Sequence, residues 1–188
     1  MSVEKQKMLN GELYNASDPT LVKERRRTRL LLKQLNDSKD DEHELRKKIL
    51  ADLIPSQGTE LWIEPPFYCD YGSNIIVGNK VFFNFNCTVL DVVQVTIGDN
   101  VLFGPSVQIL TPLHPMAWKE RSAGLENGKA ISIGSDTWIG GAVIICPGVT
   151  IGARCVIGAG SVVTRNIPDD TFAAGNPCRP IKILDARY

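Results

Sequence analysis

Two histidines set the limits on acid–base chemistry in this chain of 188 residues. His43 lies in a charged run, DEHELRKK, and reads as a solvated helix residue. His114 stands between Leu113 and Pro115, in a stretch that also carries Trp118, Arg121 and Glu126. An imidazole has the intrinsic pKa of a base that works near neutral pH. Taken alone, His114 is either such a base or a loop histidine with a structural hydrogen bond. Five cysteines, at 69, 87, 146, 155 and 178, form no C-x-x-C pair. Their odd number favours free thiols in a cytosolic chain. Cys87 and Cys155 sit where small packed side chains are wanted.

The elements that position His114 follow from a repeat. From Ile133 an aliphatic residue recurs every sixth position: Ile139, Ile145, Ile151, Ile157 and Val163. Gly134, Gly140, Gly152 and Gly158 follow four of them. Before these come Val77, Phe83, Val89, Ile97, Phe103 and Ile109. A compact residue stands two positions before each anchor, from Ile75 through Val107 and from Ile131 through Ser161. Alternate residues of a strand share one face. The period therefore predicts a coil of stacked short strands, with each anchor and its partner pointing inward and each glycine giving the backbone freedom for a corner. Three strands per turn predict about four turns from Ile75 onward. The eight-residue step from Val89 to Ile97 predicts a bulged corner near Asp91 to Gln94. Residues 111–130 break the repeat and read as a loop thrown out of the coil, of a length that favours function.

Residues 1–56 are helical in character. Asp18-Pro19 is a helix start, with Leu21, Thr28, Leu31, Leu32 and Leu35 as its apolar stripe. A second helix begins near Asp40, with Leu45, Ile49 and Leu53 as its stripe, and stops before Pro55. The run Glu24-Arg25-Arg26-Arg27 is interleaved with acids and reads as a solvated or partner-facing side. Residues 57–74 read as extended chain entering the coil. Formal net charge is zero, which argues against nucleic acid or an anionic membrane as partner. No apolar run is long enough to cross a membrane, and the N-terminus has no apolar signal core, so the expected location is cytoplasmic. A thin column has much surface for its volume, which oligomerisation would relieve.

Several stretches resemble the hexapeptide-repeat acetyltransferases, and among them the maltose and galactoside O-acetyltransferases. They include NGELY at 10–14, EPPFYCDYGSNI at 64–75, NFNCTVLD at 84–91, SAGLENGKAISIG at 122–134, WIGGAVIICPGVTIG at 138–152 and AAGNPCRPIK at 173–182. The resemblance implies a mostly β fold: a left-handed parallel β-helix over 57–188, with an N-terminal helical segment over 1–56 and an excursion loop over 111–130. It implies a homotrimer that moves acetyl from acetyl-CoA, bound between neighbouring coils, to a hydroxyl of a small sugar, with no metal. It places the general base at His114 and a residue that assists the transition state and touches the acceptor at Asn84. Further acceptor contacts fall at Asp70, Asp91 and Glu126, the last able instead to orient His114. Cofactor contacts fall at Gly141, Ala159, Thr164, Arg165, Arg179 and Lys182: small residues for the pantetheine arm, cations for its phosphates. The N-terminal acceptor-binding aspartate of the galactoside enzymes aligns with Ala16; Ser17 or Asp18 could replace it only if the loop shifts. With His114 as base, no histidine is left to activate a cysteine nucleophile, so direct attack on the thioester is expected. The alternatives are the same chemistry on a non-sugar acceptor, or a non-catalytic β-helix assembly subunit. A metal-dependent hydratase of this fold needs three histidines around its metal.

Overall fold

The computed structural model describes residues 1–185; residues 186–188, the end of the expected coil segment, lie outside it. The chain is mostly β: a parallel solenoid of triangular section capped by three N-terminal helices. Strands Ser56–Gln57, Ile75–Val77, Val95–Ile97, Ile131–Ile133 and Thr150–Ile151 stack as the first face. The second face runs from Trp62–Ile63 through Phe82–Phe83, Leu102–Phe103, Trp138–Ile139 and Val156–Ile157 to Thr171–Ala174. There the chain turns back, and Arg179–Ile183 pairs antiparallel with Thr171–Ala174. The third face holds Phe67–Cys69, Cys87–Leu90, Gln108–Leu110, Ile144–Ile145 and Val162–Val163. The coil thus begins one turn earlier than the sixfold pattern suggests: Gln57, Ile63 and Cys69 keep the six-residue step and stack under Val77, Phe83 and Val89, but Gln57 is not aliphatic and eight residues separate Cys69 from Val77. Residues 57–74 are this first turn rather than a lead-in.

Register explains the core. Cys69, Val89, Ile109, Ile145 and Val163 stand one above another, as do Val77, Ile97, Ile133 and Ile151. Every sixfold anchor, and every partner two residues before it, is buried. On the second face Phe83 stacks on Phe103 with ring centroids 4.2 Å apart and 7° between planes. Each buried aliphatic side chain contributes about 1.5–3 kcal/mol of transfer free energy, and like side chains meet along each column.

The repeat glycines act differently from the expectation. Gly134, Gly140, Gly152 and Gly158 have no positive φ; the left-handed residues are their neighbours two further on, Asp136, Ala142, Arg154 and Gly160. Close approach is what demands glycine. A Cβ at Gly134 would lie 2.4 Å from the Ala153 nitrogen, and one at Gly140 2.6 Å from the Ala159 nitrogen. Polar ladders support the corners: Asn79 N and Nδ2 donate to Asp99 Oδ1, and Asp99 N donates to Ser135 Oγ.

Helices α1 (Val3–Leu9), α2 (Pro19–Asn36) and α3 (His43–Leu53) form the cap. Asp18 caps α2, its carboxylate accepting from Thr20 N at 3.0 Å and Leu21 N at 3.2 Å. Leu21, Thr28, Leu32 and Leu35 are buried as expected, with Leu31 packed partly buried against the core. On α3 the buried stripe is rotated by one position: Arg46, Ile49, Leu50 and Leu53 turn inward, and Leu45 stays 44% exposed. The Arg46 stem covers apolar surface, while its Nε donates to Ser38 Oγ at 2.9 Å. His43 is exposed, as expected, with its ring 5.3 Å from that of Trp62. Among the described residues no helix is long and apolar enough to cross a membrane, and all five cysteines are free.

If column stacking carries stability, Ile145→Ala should leave a cavity that neighbouring turns cannot close. Urea unfolding should show a loss of about 2–5 kcal/mol with an unchanged m-value. A loss below about 1 kcal/mol would count against the continuous column.

Candidate active site

Three successive turns leave the third face through one corner, over residues 70–74, 91–94 and 111–130. There the step from one inward anchor to the next exceeds six residues: eight from Cys69 to Val77 and from Val89 to Ile97, and twenty-four from Ile109 to Ile133. Stacked, and roofed by α2, these connections enclose a hollow of about 470 Å³. Its charged wall is Asp70, His114 and Glu126 from the corner and Arg25 and Arg29 from α2; Leu90, Val92 and Leu110 supply apolar surface.

The excursion has structure of its own. Pro112–Leu113 pairs antiparallel with Leu125–Gly128, and a short helix, α4 (Trp118–Ser122), forms the tip. Arg121 Nη1 donates to the carbonyls of Pro115 and Met116, which secures the chain just after His114. Gly128 lets the hairpin lie on the coil, since a Cβ there would come 2.8 Å from Val92 Cγ2. Tyr14–Asn15 adds a third strand, setting Tyr14 opposite Glu126. The Tyr14 hydroxyl donates to Glu126 Oε1, and Glu126 Oε2 lies 3.9 Å from His114 Nε2.

Asp70 lines the hollow, and burial raises its carboxyl pKa, with Arg25 opposing. Asp91 departs from expectation. It is fully buried. Its Oδ1 accepts the backbone N–H of Asp70 at 3.0 Å and of Tyr71 at 2.9 Å, and its Oδ2 accepts that of Asn74 at 3.3 Å. Its carboxylate therefore holds the Asp70 corner in place and is not presented to an acceptor. Its own N–H donors oppose the shift, but burial pushes Asp91 up to about 7. Asp18 is engaged as the α2 cap and by Ser2 Oγ at 2.9 Å, so it does not replace the aspartate that Ala16 lacks; Ala16 itself borders the hollow.

Sequence reasoning missed Arg25, Arg29, Tyr14 and Tyr71. Arg25 is not a solvated charge: it donates to Tyr71 OH at 2.6 Å and to the Ala16 carbonyl at 2.6 Å. Arg25 and Arg29 are four apart, so they share a helix face. That spacing was visible, but which face met the coil was not. Tyr14 was within a quoted motif without any role attached.

Asn84 is not part of this hollow. It lies at the corner between the second and third faces, on the far side of strand Cys87–Leu90, whose four residues span about 13 Å. Its Oδ1 accepts the Phe85 N–H at 2.7 Å. The same corner carries Gly141 and Ala159 on lower turns, tied together by bonds from Ala142 N to Pro105 O and from Gly160 N to Gly141 O. Thr164 and Arg165 follow the last third-face strand, at the His114 corner but two turns below it. Arg179 opens the final strand, with Nη1 on the Cys178 carbonyl. Lys182 lines a separate hollow beside Phe172, Arg154 and Asp170 on the second face. One chain therefore brings together Asp70, His114 and Glu126, but places Asn84 and the cofactor candidates at other corners, other turns or the second face. Among the described residues no cluster of three or more metal-ligating side chains occurs.

A triangular coil with a histidine-bearing excursion at one corner is the framework of a hexapeptide acyltransferase. The model for the maltose acetyltransferase hexapeptide capping motif matches residues 7–58, and the model for six bacterial transferase hexapeptide repeats matches residues 130–165. The chain is 42% identical to the galactoside O-acetyltransferase of Escherichia coli K12, covering 94% of this chain and 87% of the relative. A crystal structure of a maltose O-acetyltransferase from Clostridium difficile 630 superposes with a TM-score of 0.96 at 49% identity, covering 98% of both chains. A galactoside acetyltransferase in complex with coenzyme A superposes with a TM-score of 0.95 at 40% identity, covering 100% of this chain and 94% of that one. The chain belongs to the maltose and galactoside O-acetyltransferase family of hexapeptide-repeat proteins, and it is an acyltransferase.

The buried Asp91 gives a test of sign. Its folded pKa stands above the ordinary carboxylate value, so the native state binds more protons than the unfolded chain between about pH 4 and 7. Its contribution should therefore fall as pH rises through that window. Chemical denaturation of wild type and Asp91→Asn at pH 4.5 and 7.5 should show the wild type losing more stability than the variant across the interval. Equal slopes would mean that the three N–H donors fully offset burial, and a smaller loss in the wild type would mean that they outweigh it.

Proposed function

We propose that the protein transfers the acetyl group of acetyl-CoA to a hydroxyl of a small sugar of the maltose, glucose or galactoside type. The observation that carries this reading is His114, held at the mouth of a polar hollow that also contains Asp70 and Glu126. His114 takes the proton of the acceptor hydroxyl as its oxygen attacks the thioester carbonyl carbon. The C–S bond then breaks. The sulfur leaves as the CoA thiolate and receives the proton from the imidazolium, so the base is regenerated. Asp70 accepts a hydrogen bond from a neighbouring hydroxyl of the acceptor, and Glu126 borders the same space. With Asn84 Oδ1 engaged by Phe85 N–H, the side-chain NH₂ is the group that donates to the developing oxyanion. The pantetheine arm lies against the backbone at Gly141 and Ala159, with Thr164 beside it. Arg165, Arg179 and Lys182 meet the phosphates.

Because Asn84 and His114 stand at different corners, the working site is built between two copies, as a homotrimer allows. The outer side of the second face supports this. Trp62, Phe82, Leu102, Trp138, Val156 and Phe172 form an apolar ladder there, with Leu102 49% and Trp138 55% exposed in the single chain. The outer first-face column is polar at Ser56, Thr96, Ser132 and Thr150, with Ile76 its one apolar member. A second copy covering the ladder brings its excursion beside the Asn84 corner. The reading keeps the enzyme in the cytoplasm, in line with its free thiols.

Acetyl-CoA consumption measured across maltose, glucose, thiogalactosides, serine and chloramphenicol-like alcohols should be highest with a sugar. His114→Ala should lower kcat on that sugar about 10²- to 10⁴-fold, with KM for acetyl-CoA little changed. Near-normal turnover by His114→Ala would refute the mechanism. Co-refolded His114→Ala and Asn84→Ala chains should recover activity, about a quarter of the wild-type level for random trimers. No recovery would place the two residues in one chain's site.

A further inference from the structure

Tyr14 belongs to the N-terminal segment, yet its side chain ends where His114 stands. The ring is fully buried in a small cluster with Met8, Leu21, Tyr71 and Val92. Pairing of Tyr14–Asn15 with Leu125–Gly128 sets it directly across from Glu126, where cross-strand side chains meet. Its hydroxyl donates to one carboxylate oxygen, Oε1. The other, Oε2, is 3.9 Å from His114 Nε2. The Glu126 side chain is 18% exposed and that of His114 57%. A glutamate has several rotatable bonds, and a second bond from a rigid, buried ring removes most of that freedom. Burial, with the bond to Glu126 adding to it, raises the Tyr14 hydroxyl pKa far above the ordinary phenol value, so it remains a donor at every working pH.

We propose that Tyr14 is a positioning residue for the base. By holding one oxygen of Glu126 it fixes the other beside His114, so that the carboxylate orients the imidazole and stabilises the imidazolium formed when the acceptor proton is taken. This rests on the reading of His114 as general base. It also gives the helical cap a place in the chemistry, since the cap reaches the reacting centre through this bond. Other charges bear on the same space. Asp70 comes from the corner two turns above, and Arg25 and Arg29 come from α2. Arg25 is held on Tyr71 OH and the Ala16 carbonyl. On α4, Lys119 and Glu120 are exposed. Variants limited to Tyr14 and Glu126 leave all of these unchanged.

The test measures the imidazole itself as well as turnover. With only two histidines in the chain, a His43→Gln background lets NMR follow His114 alone through a pH titration of the full-length protein. Glu126→Gln removes the carboxylate that favours the imidazolium, so it should move the measured His114 titration and the acid limb of kcat/KM to lower pH. Tyr14→Phe keeps the buried ring, should shift both in the same direction by a smaller amount, and should lower kcat about tenfold. KM for acetyl-CoA should stay unchanged. The double variant should be no worse than Glu126→Gln alone, because Tyr14 acts only through that carboxylate. A Tyr14→Phe protein with wild-type titration and turnover, or a double variant whose loss is the product of the single losses, would overturn the proposal. The titration needs no acceptor, so it separates this proposal from the functional reading. An active His114→Ala variant would remove the catalytic premise, whereas an unshifted imidazole beside an inactive His114→Ala variant would refute Tyr14 and spare the base.

Discussion

The structure depends on how closely one turn of the coil lies on the next. Its strands are mostly two or three residues long, far too short to persist singly. They persist because each backbone N–H meets a carbonyl of a neighbouring turn, as Phe82 N does Val101 O at 3.0 Å and Trp138 N does Cys155 O at 2.8 Å. That spacing requires glycine where one corner presses on another, at Gly98, Gly134 and Gly140. It also stacks like side chains in columns. The inner columns carry the stability, so the corners are free to vary.

The site uses that freedom at one corner only. The six-residue step between inward anchors is exceeded at the corners spanning 70–74, 91–94 and 111–130, and because successive turns are in register, the three insertions fall on top of one another. The buried Asp91 carboxylate gathers three N–H groups of the turn above it. A carboxylate without those donors would be too costly to bury. Asp70 thereby acquires a fixed position without spending its own side chain on structure.

The cap is joined to this corner by specific bonds more than by area. Thr28 Oγ1 donates to the Tyr71 carbonyl at 2.8 Å, Arg25 donates to the Tyr71 hydroxyl, and Tyr14 donates to Glu126. Tyr71 thus receives the helices on one side and hangs from Asp91 on the other. An N-terminal segment that looks like a separate helical piece is in this way part of the wall around His114.

Periodicity made the inner face of the coil legible residue by residue, because every anchor repeats one local environment and burial follows directly from alternation. The Asp18 cap and the end of α3 before Pro55 were legible for the same local reason. Likeness of motifs marked His114, Asp70 and Glu126, which the fold does gather. Local pattern could not say which α2 face meets the coil, so Arg25 passed for a solvated charge. It could not say that Asp91 faces inward at a bulged corner, where alternation lapses. Nor could it separate glycine needed for a positive φ from glycine needed because another backbone comes within 3 Å, which is a relation between turns. The sequence by itself determined a stacked coil, since that follows from residue type and spacing, and its likeness to known motifs singled out His114. Only the tertiary structure decided that Tyr14, Glu126 and His114 converge and that Asn84 stands apart from them, because contacts between residues 14 and 126 are made by strand pairing across the chain and leave no local trace.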